Sequence, residues 1–222
     1  MTARQKDIFL DREADSWNER NQIVGDKLTD KRRTDLALKT LLRVETPPKR
    51  VLEIGASNGW RLSVLKESWP DTEFVGIDPS KQAVSNAYEG IELHHGTAEN
   101  LPFDDNEFDM VLFGFCLYLC DRKDLFRIAA EADRVLMDSG LMVTYDFHTE
   151  VSYRNPYAHQ EGMYTYKMDY SQLFNWSPAY HTIDQSVAPF YEDDEDIMDN
   201  RVGVFVLQKN LTEGWPNRPE EK

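Results

Sequence analysis

The sequence is poor in cysteine, in basic residues and in long apolar runs, and each shortage argues against a class of function. No apolar run approaches the roughly 20 residues that a membrane-spanning helix needs. Residues 1–17 are charged and lack the apolar core of a secretory signal. We therefore expect a cytoplasmic protein with no membrane contact. The net charge of −15, from 40 acidic and 25 basic residues, repels phosphate backbones, so nucleic acid is not an expected partner.

Only two cysteines are present, Cys116 and Cys120, and both lie in a strongly apolar stretch. Two thiols do not complete a thiolate metal site, and positions four apart on a helix lie near the upper distance limit for a disulfide. We expect buried, reduced thiols. The acidic run at residues 192–196 lacks the glycine and ligand spacing of a calcium loop, which favours a solvated loop without a metal.

The 222 residues, 41% of them hydrophobic, are enough to form one full core. Short apolar strands alternate with amphipathic helices, and Ser139-Gly140 is predicted to end the last of these helices. The predicted strands cover residues 51–54, 74–78, 91–93, 109–115, 141–147 and 203–207. The predicted helices cover residues 60–68, 83–88 and 125–136. This alternation predicts a Rossmann-like α/β fold, an open seven-stranded and mostly parallel sheet with helices on both faces.

The chain divides at the proline pair that follows its first helical region. Residues 13–45 show helical spacing that Pro47-Pro48 ends, which predicts an N-terminal helical cover over residues 1–48. The α/β domain then covers residues 49–211. Residues 212–222 are rich in proline and charge, and we expect a flexible tail there.

A glycine-rich turn follows the first predicted strand, in the sequence VLEIGASNGW at residues 51–60. Such a turn lets the backbone approach a ligand and aims the amides of the next helix at it. Asp78 ends the second strand about 20 residues later, where a carboxylate accepts both hydrogen bonds of a ribose diol. Capping of the helix that follows Pro79 is the alternative role for Asp78. A nicotinamide-dependent enzyme shares both features.

Four sequence pieces in order distinguish these possibilities: VLEIGASNG, VGIDPS, GTAENLPFDDNEFDMV and RVLMDSGLMVTYDF. Over residues 51–147 the chain resembles class I S-adenosylmethionine-dependent methyltransferases, in the branch that includes the ubiquinone and menaquinone methyltransferases. The resemblance implies S-adenosylmethionine as the cofactor. A nicotinamide-dependent oxidoreductase leaves the LPF and FDMV pieces unexplained. A subunit that binds the cofactor without catalysis stays open.

The resemblance also implies a cofactor site. In it, Asp78 holds the ribose and Phe115 lies near the sulfonium. Residues around the methionine portion are Glu53, Gly55, Ala56 and Gly59, and residues that frame the adenine are Thr97, Ala98 and Glu99. Two positions depart from the family pattern, because Ser57 replaces the middle glycine and Thr97 stands where many relatives have aspartate.

Trp17 and Arg20 lie ahead of the α/β domain, in the stretch ADSWNERNQ, which resembles methyltransferases found with surface-polysaccharide enzymes. The resemblance implies a helix that closes over the cofactor, with Arg20 paired to the methionine carboxylate. The alternative is a tryptophan that pins an amphipathic helix to the core.

Residues 145–191 hold twelve of the 26 aromatic residues of the chain. Within this stretch we predict a substrate cap at residues 150–191, with Tyr164, Tyr166 and Trp176 against a flat or sugar-like acceptor. A homodimer interface is the alternative, since interfaces also favour aromatic residues.

His148 follows the fifth predicted strand, at the sheet edge where ligands bind in open α/β folds. Its ordinary pKa near 6.5 suits a general base, although methyl transfer can also proceed by positioning alone. The predicted reaction is S-adenosylmethionine-dependent methyl transfer to a hydroxyl or amine of a small molecule, such as a sugar or another biosynthetic intermediate.

Overall fold

A computed structural model describes residues 4–21, 34–190 and 197–218. The predicted acidic loop at residues 192–196 lies outside these ranges, as does part of the predicted N-terminal cover. The strands are β1 (Arg50–Ile54), β2 (Glu73–Asp78), β3 (Glu92–His95), β4 (Phe108–Gly114), β5 (Leu136–Phe147), β6 (Tyr153–Pro156), β7 (Tyr164–Lys167), β8 (Tyr180–Pro189) and β9 (Arg201–Lys209). The α-helices are α1 (Gln5–Ile8), α2 (Ala14–Asn21), α3 (Leu36–Leu41), α4 (Trp60–Ser68), α5 (Lys81–Ser85), α6 (Leu125–Val135) and α7 (Leu211–Gly214).

Seven strands form the main sheet in the order β3-β2-β1-β4-β5-β9-β8. The pairs from β3 to β5 are parallel, whereas β9 runs antiparallel to both β5 and β8. Strands β6 and β7 form a separate antiparallel hairpin. The predicted Rossmann-like fold with a mostly parallel seven-stranded sheet is therefore confirmed. The strand order reverses between β1 and β4, and open α/β sheets bind ligands at the carboxyl ends of such strands.

Strand β4 shows why the sheet is covered on both faces. Its apolar side chains alternate, so that Val111 and Phe113 enter one buried cluster while Met110 and Leu112 enter the other. Full burial of a side chain of this size contributes about 1.5–3 kcal/mol. Helix α6 covers the first of these faces through Ile128, Ala132 and other apolar residues.

The boundary between α6 and β5 differs from the prediction. The helix ends at Val135 and β5 begins at once, so Ser139 and Gly140 lie within the strand rather than ending the helix. The pairing of β5 with β4 shifts register between Phe108 and Met110, and Ser139 has a left-handed φ of 66°. The serine-glycine pair thus lies where the pairing of the two strands is irregular, and a positive φ is as useful there as at a helix end.

Two elements in the second half of the chain were missed in the sequence pattern. Strand β8 lies at the sheet edge and exposes most of its residues, so it has no alternating apolar signal. Its residues 180–189 belong to the main sheet although they fall within the predicted cap segment. The β6–β7 hairpin also lies in that segment.

A π-helical turn at Phe9–Glu13 joins α1 to α2, and together they form the N-terminal helix (residues 5–21). No helix among the described residues is both long and apolar enough to cross a bilayer.

Candidate functional site

A pocket opens at the carboxyl ends of β1 and β2, at the point where the strand order reverses. It holds about 860 Å³ of empty space, counting the part open to solvent, which is the size of a small-molecule site. We call it the first pocket. Its wall combines the strand ends, the loop after β3, the segment after β4, the start of α6 and the N-terminal helix. Predicted site residues in this wall are Trp17, Gly55, Asp78, Thr97, Ala98, Glu99 and Phe115.

Glycine is required at Gly55 by both conformation and space. Its φ is +76°, and a Cβ there would lie 2.6 Å from the Cβ of Cys116. Gly59 also has a φ of +76° and begins α4, but its added Cβ would meet Ile91 rather than the pocket. The first glycine therefore shapes the ligand wall, whereas the second lets the helix pack against the sheet.

Ser57 replaces the middle glycine and still adopts a positive φ of 50°. Its amide donates to Oδ2 of Asp78 at 2.7 Å, and its hydroxyl donates to Oδ1 of Asn18 at 3.2 Å. These two hydrogen bonds hold a conformation that a serine adopts only at a cost. The departure from the family pattern is thus compensated by a contact with the N-terminal helix.

Both oxygens of Asp78 accept backbone hydrogen bonds, one from Ser57 and the other from Ser80 at 2.8 Å. Ser80, not Asp78, caps α5, because its hydroxyl oxygen accepts from the amide of Ala83 at 3.0 Å. The capping role considered for Asp78 is therefore wrong. Burial raises the pKa of Asp78 to about 6 even though these amides oppose the change. Each oxygen keeps a further lone pair for a ligand hydroxyl.

Glu99 lies across the pocket and is held by two cationic or polar neighbours. Its Oε1 accepts from the hydroxyl of Thr97 at 2.8 Å and forms an ion pair with the ammonium of Lys6. Burial alone would raise the pKa of Glu99, but the bonds from Lys6 and Thr97 bring it below its ordinary value. The carboxylate is therefore charged and fixed at neutral pH.

The N-terminal helix forms one side of the first pocket. Trp17 lines it, and the indole Nε1 donates to the hydroxyl of Tyr118 at 3.1 Å. Arg20 points elsewhere: its guanidinium pairs with Glu13 and donates to the hydroxyl of Tyr157 at 3.2 Å. Arg20 is not among the residues that line the pocket, and its predicted contact with the methionine carboxylate stays a prediction.

Glu53 and Ala56 lie behind the pocket wall. Glu53 is fully buried and pairs with Arg61, which also lies 3.3 Å from Asp35. Burial raises the pKa of Glu53 to about 7 although the guanidinium of Arg61 lowers it. Its Oε2 has no hydrogen-bond partner among the described residues. Ala56 packs close to Gly76 of β2.

Phe115 combines an unusual backbone with a central position among aromatic rings. Its φ is +70°, a value that is rare for a bulky residue. Residues with such a strained backbone cluster at functional sites. Its ring lies 5.0–5.3 Å from the centres of four others. We call these five rings the aromatic cluster: Phe115, Tyr118, Tyr145, Phe147 and Phe190.

The predicted acceptor residues do not line the first pocket. The ring of Tyr164 lies under the guanidinium of Arg154 at 4.1 Å, and that of Tyr166 lies under Arg122 at 4.3 Å. Trp176 is 75% exposed and donates to the carbonyl of Leu173 at 3.1 Å. Their role in acceptor binding stays a prediction.

His148 also lies outside the wall of the first pocket. Its ring is 5.1 Å from that of Phe205, and its amide donates to the carbonyl of Arg201 at 3.0 Å. The buried Nδ1 has no hydrogen-bond partner among the described residues and lies 3.9 Å from Oδ1 of Asp169. Its role as a general base stays a prediction.

Several wall residues were missed in the sequence. Lys6, Phe9, Leu10 and Ala14 come from the N-terminal helix, and Cys116 and Cys120 come from the segment after β4. The thiols are not joined in a disulfide and are half-buried, whereas buried thiols were predicted. Nothing in the spacing of Lys6 indicates that it meets a residue 93 positions later.

Comparison with known families identifies the central part of this site. Residues 51–140 match a family model described as a methyltransferase domain. This segment is a methyltransferase domain. The match contains the glycine turn, Asp78, Glu99 and Phe115, which are the elements around the first pocket. Fold and sequence thus confirm the resemblance to class I S-adenosylmethionine-dependent methyltransferases.

Curated relatives align with the methyltransferase domain over part of their length. A fatty-acid O-methyltransferase of Mycolicibacterium smegmatis is 30% identical over 48% of this chain and 40% of its own. A demethylmenaquinone methyltransferase of Bacillus pumilus is 28% identical over 68% of this chain and 64% of its own. The chain thus spans less than two thirds of either relative.

A solved structure shows the same fold. The 1,6-didemethyltoxoflavin-N1-methyltransferase of Burkholderia thailandensis, with bound 1,6-didemethyltoxoflavin and S-adenosylhomocysteine, superposes with a TM-score of 0.63. The sequences are 13% identical, and the match covers 93% of this chain and 87% of the other.

The described residues fit S-adenosylmethionine, the cofactor that the family resemblance implies. Asp78 keeps lone pairs for a ribose diol, and Glu99 is a charged acceptor for an amino group on the base. The unpartnered Oε2 of Glu53 is a buried acceptor two residues before Gly55. An ammonium group such as that of the methionine portion would satisfy it, because a buried acceptor without a donor costs about 1–3 kcal/mol.

Proposed function

We propose that the chain transfers the methyl group of S-adenosylmethionine to a hydroxyl or amine of a small molecule, such as a sugar or another biosynthetic intermediate. One observation carries the proposal: Gly55, Asp78 and Glu99 meet around one pocket within a segment that matches a methyltransferase domain. The fold and the relatives support the reaction class. They leave the acceptor to be found.

The bound cofactor would supply an electrophilic methyl group on a sulfonium, and its carbon–sulfur bond would break, with S-adenosylhomocysteine leaving, as a nucleophile bonds to the methyl carbon in line. The protein contributes mainly by holding that nucleophile close and aligned. Asp78 and Glu99 bind the two ends of the nucleoside, while Trp17 and Phe115 keep water from the apolar part of the pocket. In the fuller proposal Arg20, Glu53, Ala56 and Gly59 complete the cofactor site, and His148 accepts the proton that leaves a hydroxyl.

The acceptor cap is part of the same proposal. Tyr164, Tyr166 and Trp176 would bind the acceptor, in which case substitutions there impair turnover and spare cofactor affinity. If the aromatic segment is instead a homodimer interface, the exposed Trp176 is the informative position. Trp176→Ala would then dissociate the oligomer and leave the activity intact.

The direct test is calorimetry with S-adenosylhomocysteine. We expect binding at micromolar or tighter affinity, and Asp78→Ala should weaken it by about 1.5–3 kcal/mol, as for a lost charged hydrogen bond. Asp11→Ala, at an exposed position outside the pocket, is the matched control. Binding of NAD in place of S-adenosylhomocysteine would overturn the proposal.

A second measurement separates an enzyme from a binding subunit. Wild-type protein is incubated with methyl-labelled S-adenosylmethionine and a panel of small hydroxyl and amine compounds. Transfer of label that Asp78→Ala diminishes supports the enzyme. Tight binding without transfer to any compound favours a subunit that binds the cofactor without catalysis.

A further inference from the structure

A second pocket lies beside the first, and none of the predicted cofactor-binding, acceptor-binding or catalytic residues lines it. It holds about 640 Å³ of empty space, counting the part open to solvent. Its wall is formed by α3 and its flanks, the end of β5 and the ends of β8 and β9. The residues that matter here are Asp35, Leu36, Tyr145, Pro189, Phe190 and Val202. We call it the second pocket.

The aromatic cluster separates the two pockets. Phe115 lines the first pocket, and its ring lies 5.1 Å from Tyr145 and 5.3 Å from Phe190, which line the second. The partition is therefore about one layer of rings. Its central residue, Phe115, is also the one with the strained backbone, and such strain persists where the surrounding structure or function requires it.

Tyr145 places a hydroxyl group in this wall. The residue is 4% exposed, and its hydroxyl is not among the fully buried polar atoms that lack a partner in the part of the chain that the structure describes. Because Tyr145 lines the second pocket, its hydroxyl can hydrogen-bond to a ligand there. Burial raises the pKa of Tyr145 well above its ordinary value, so the hydroxyl keeps its proton and can both donate and accept.

The guanidinium near Tyr145 already has carboxylate partners. Asp35 pairs with Arg61, whose guanidinium lies 5.2 Å from the centre of the Tyr145 ring. An ionic ligand is therefore not required by this part of the wall. The wall also contains Thr34 and Lys39, and its apolar, partly flat portion is formed by Pro189, Phe190 and Val202. Flat ligands favour aromatic walls, because paired aromatic rings attract each other beyond the burial of their surface.

We infer that the second pocket binds the methyl acceptor as a flat ring that carries a hydroxyl group. The ring lies against Phe190 and Pro189, and the hydroxyl of Tyr145 hydrogen-bonds to the acceptor. Phe115 then stands between acceptor and cofactor, and the reacting atom reaches the first pocket past its ring. This inference rests on the proposed function and names a site distinct from Tyr164, Tyr166 and Trp176.

The probe for this inference is 2-naphthol, with 2-methylnaphthalene as the analogue that lacks a hydroxyl. Fluorescence titrations are run on the full chain, with and without saturating S-adenosylhomocysteine. We expect 2-naphthol to bind the wild-type protein at least about fivefold more tightly than its analogue, as for one net hydrogen bond. Tyr145→Phe should remove that preference and leave the affinity for S-adenosylhomocysteine unchanged.

Two further variants keep the test decisive. Tyr180→Phe removes the hydroxyl of a buried tyrosine of β8 that donates to Asp133 of α6. Tyr180 does not line the second pocket, so this variant should retain the preference for 2-naphthol. Ala188→Trp places a large side chain in the wall of the second pocket and should block 2-naphthol, which also covers the case in which Tyr145→Phe folds poorly.

The outcomes distinguish this inference from the proposed function. If S-adenosylhomocysteine binds but 2-naphthol does not, or if it binds Tyr145→Phe and Ala188→Trp as tightly as the wild type, the second pocket is not the acceptor site. If S-adenosylhomocysteine itself fails to bind, the proposed function is wrong.

Discussion

The two sides of the first pocket are held together in different ways. On the sheet side, Asp78 accepts from the amides of Ser57 and Ser80, which lie within 21 residues of it. On the side of the N-terminal helix, contacts join side chains that are far apart in sequence, such as Lys6 with Glu99 and Trp17 with Tyr118. The sheet side is therefore part of the main core, whereas the helix side combines these polar contacts with a small apolar cluster that includes Ile8, Phe9 and Trp17.

This difference has an energetic consequence. Local opening is least costly where few apolar contacts must be broken, and partly exposed ion pairs contribute about 1 kcal/mol or less. Lys6 keeps 28% of its side-chain surface exposed. We therefore expect substitutions on the sheet side to cost much more than substitutions on the helix side.

The largest effect is expected for Gly55→Val, on the sheet side. The new Cβ would overlap Cys116, and valine is strained at a φ of +76°, so the free energy of unfolding should fall by about 2–4 kcal/mol. Gly90→Ala is the control, because its φ is +74° but its Cβ meets only the flexible end of Lys66. Urea unfolding measures both. Equal losses would show that backbone strain alone, not the tight turn, sets the cost.

His148 sharpens the comparison because it lies outside both sides of the first pocket. If it is the general base, His148→Ala should lower the rate on the true acceptor by about 10²-fold and leave cofactor affinity intact. Higher pH should partly restore the rate when the acceptor can ionise. A near-normal rate at pH 7 would instead leave a mechanism of positioning alone.

The titration of Asp78 should make both cofactor affinity and folding stability depend on pH. A ribose diol donates to the ionised carboxylate, so affinity for S-adenosylhomocysteine should fall as pH drops below about 6. Folding stability should move the other way, because a raised pKa favours the protonated folded form. The stability that Asp78 contributes is full below its unfolded pKa near 3.9 and is lost as pH rises through about 6.

Asp78→Asn should remove both dependences. Calorimetry between pH 5 and pH 8, together with thermal unfolding between about pH 4 and pH 8, separates binding from stability. Unchanged pH profiles in this variant would assign the titration to another group.

The smallest effect is expected for Lys6→Met, on the helix side. Loss of one partly exposed ion pair should weaken S-adenosylhomocysteine binding by about two- to fivefold, and the difference should shrink in high salt. Lys123→Met, at an exposed position outside the pocket wall, is the control. A loss as large as that of Asp78→Ala would show that the helix side is as integral to the pocket as the sheet side.

Much of the sheet side could be read from the sequence because its signals are local. The glycine turn at Gly55, the acidic residue that ends β2 and the apolar run of β4 each follow from the neighbours of one residue. Helix α4 was predicted with its observed bounds, Trp60–Ser68. The edge strand β8 was missed because exposure on the outer edge removes the apolar alternation that marks a strand.

The sequence by itself determined the fold class and, through the family resemblance, the expectation that Gly55, Asp78 and Glu99 share one site, whereas the order of the strands came from the structure. Backbone geometry and hydrophobic periodicity act over a few residues, so they leave a readable pattern. Only the tertiary structure decided that Arg20 pairs with Glu13, that Arg122 and Arg154 cover Tyr166 and Tyr164, and that Lys6 reaches Glu99. Those contacts join distant segments, and the packing of whole elements selects which side chains meet.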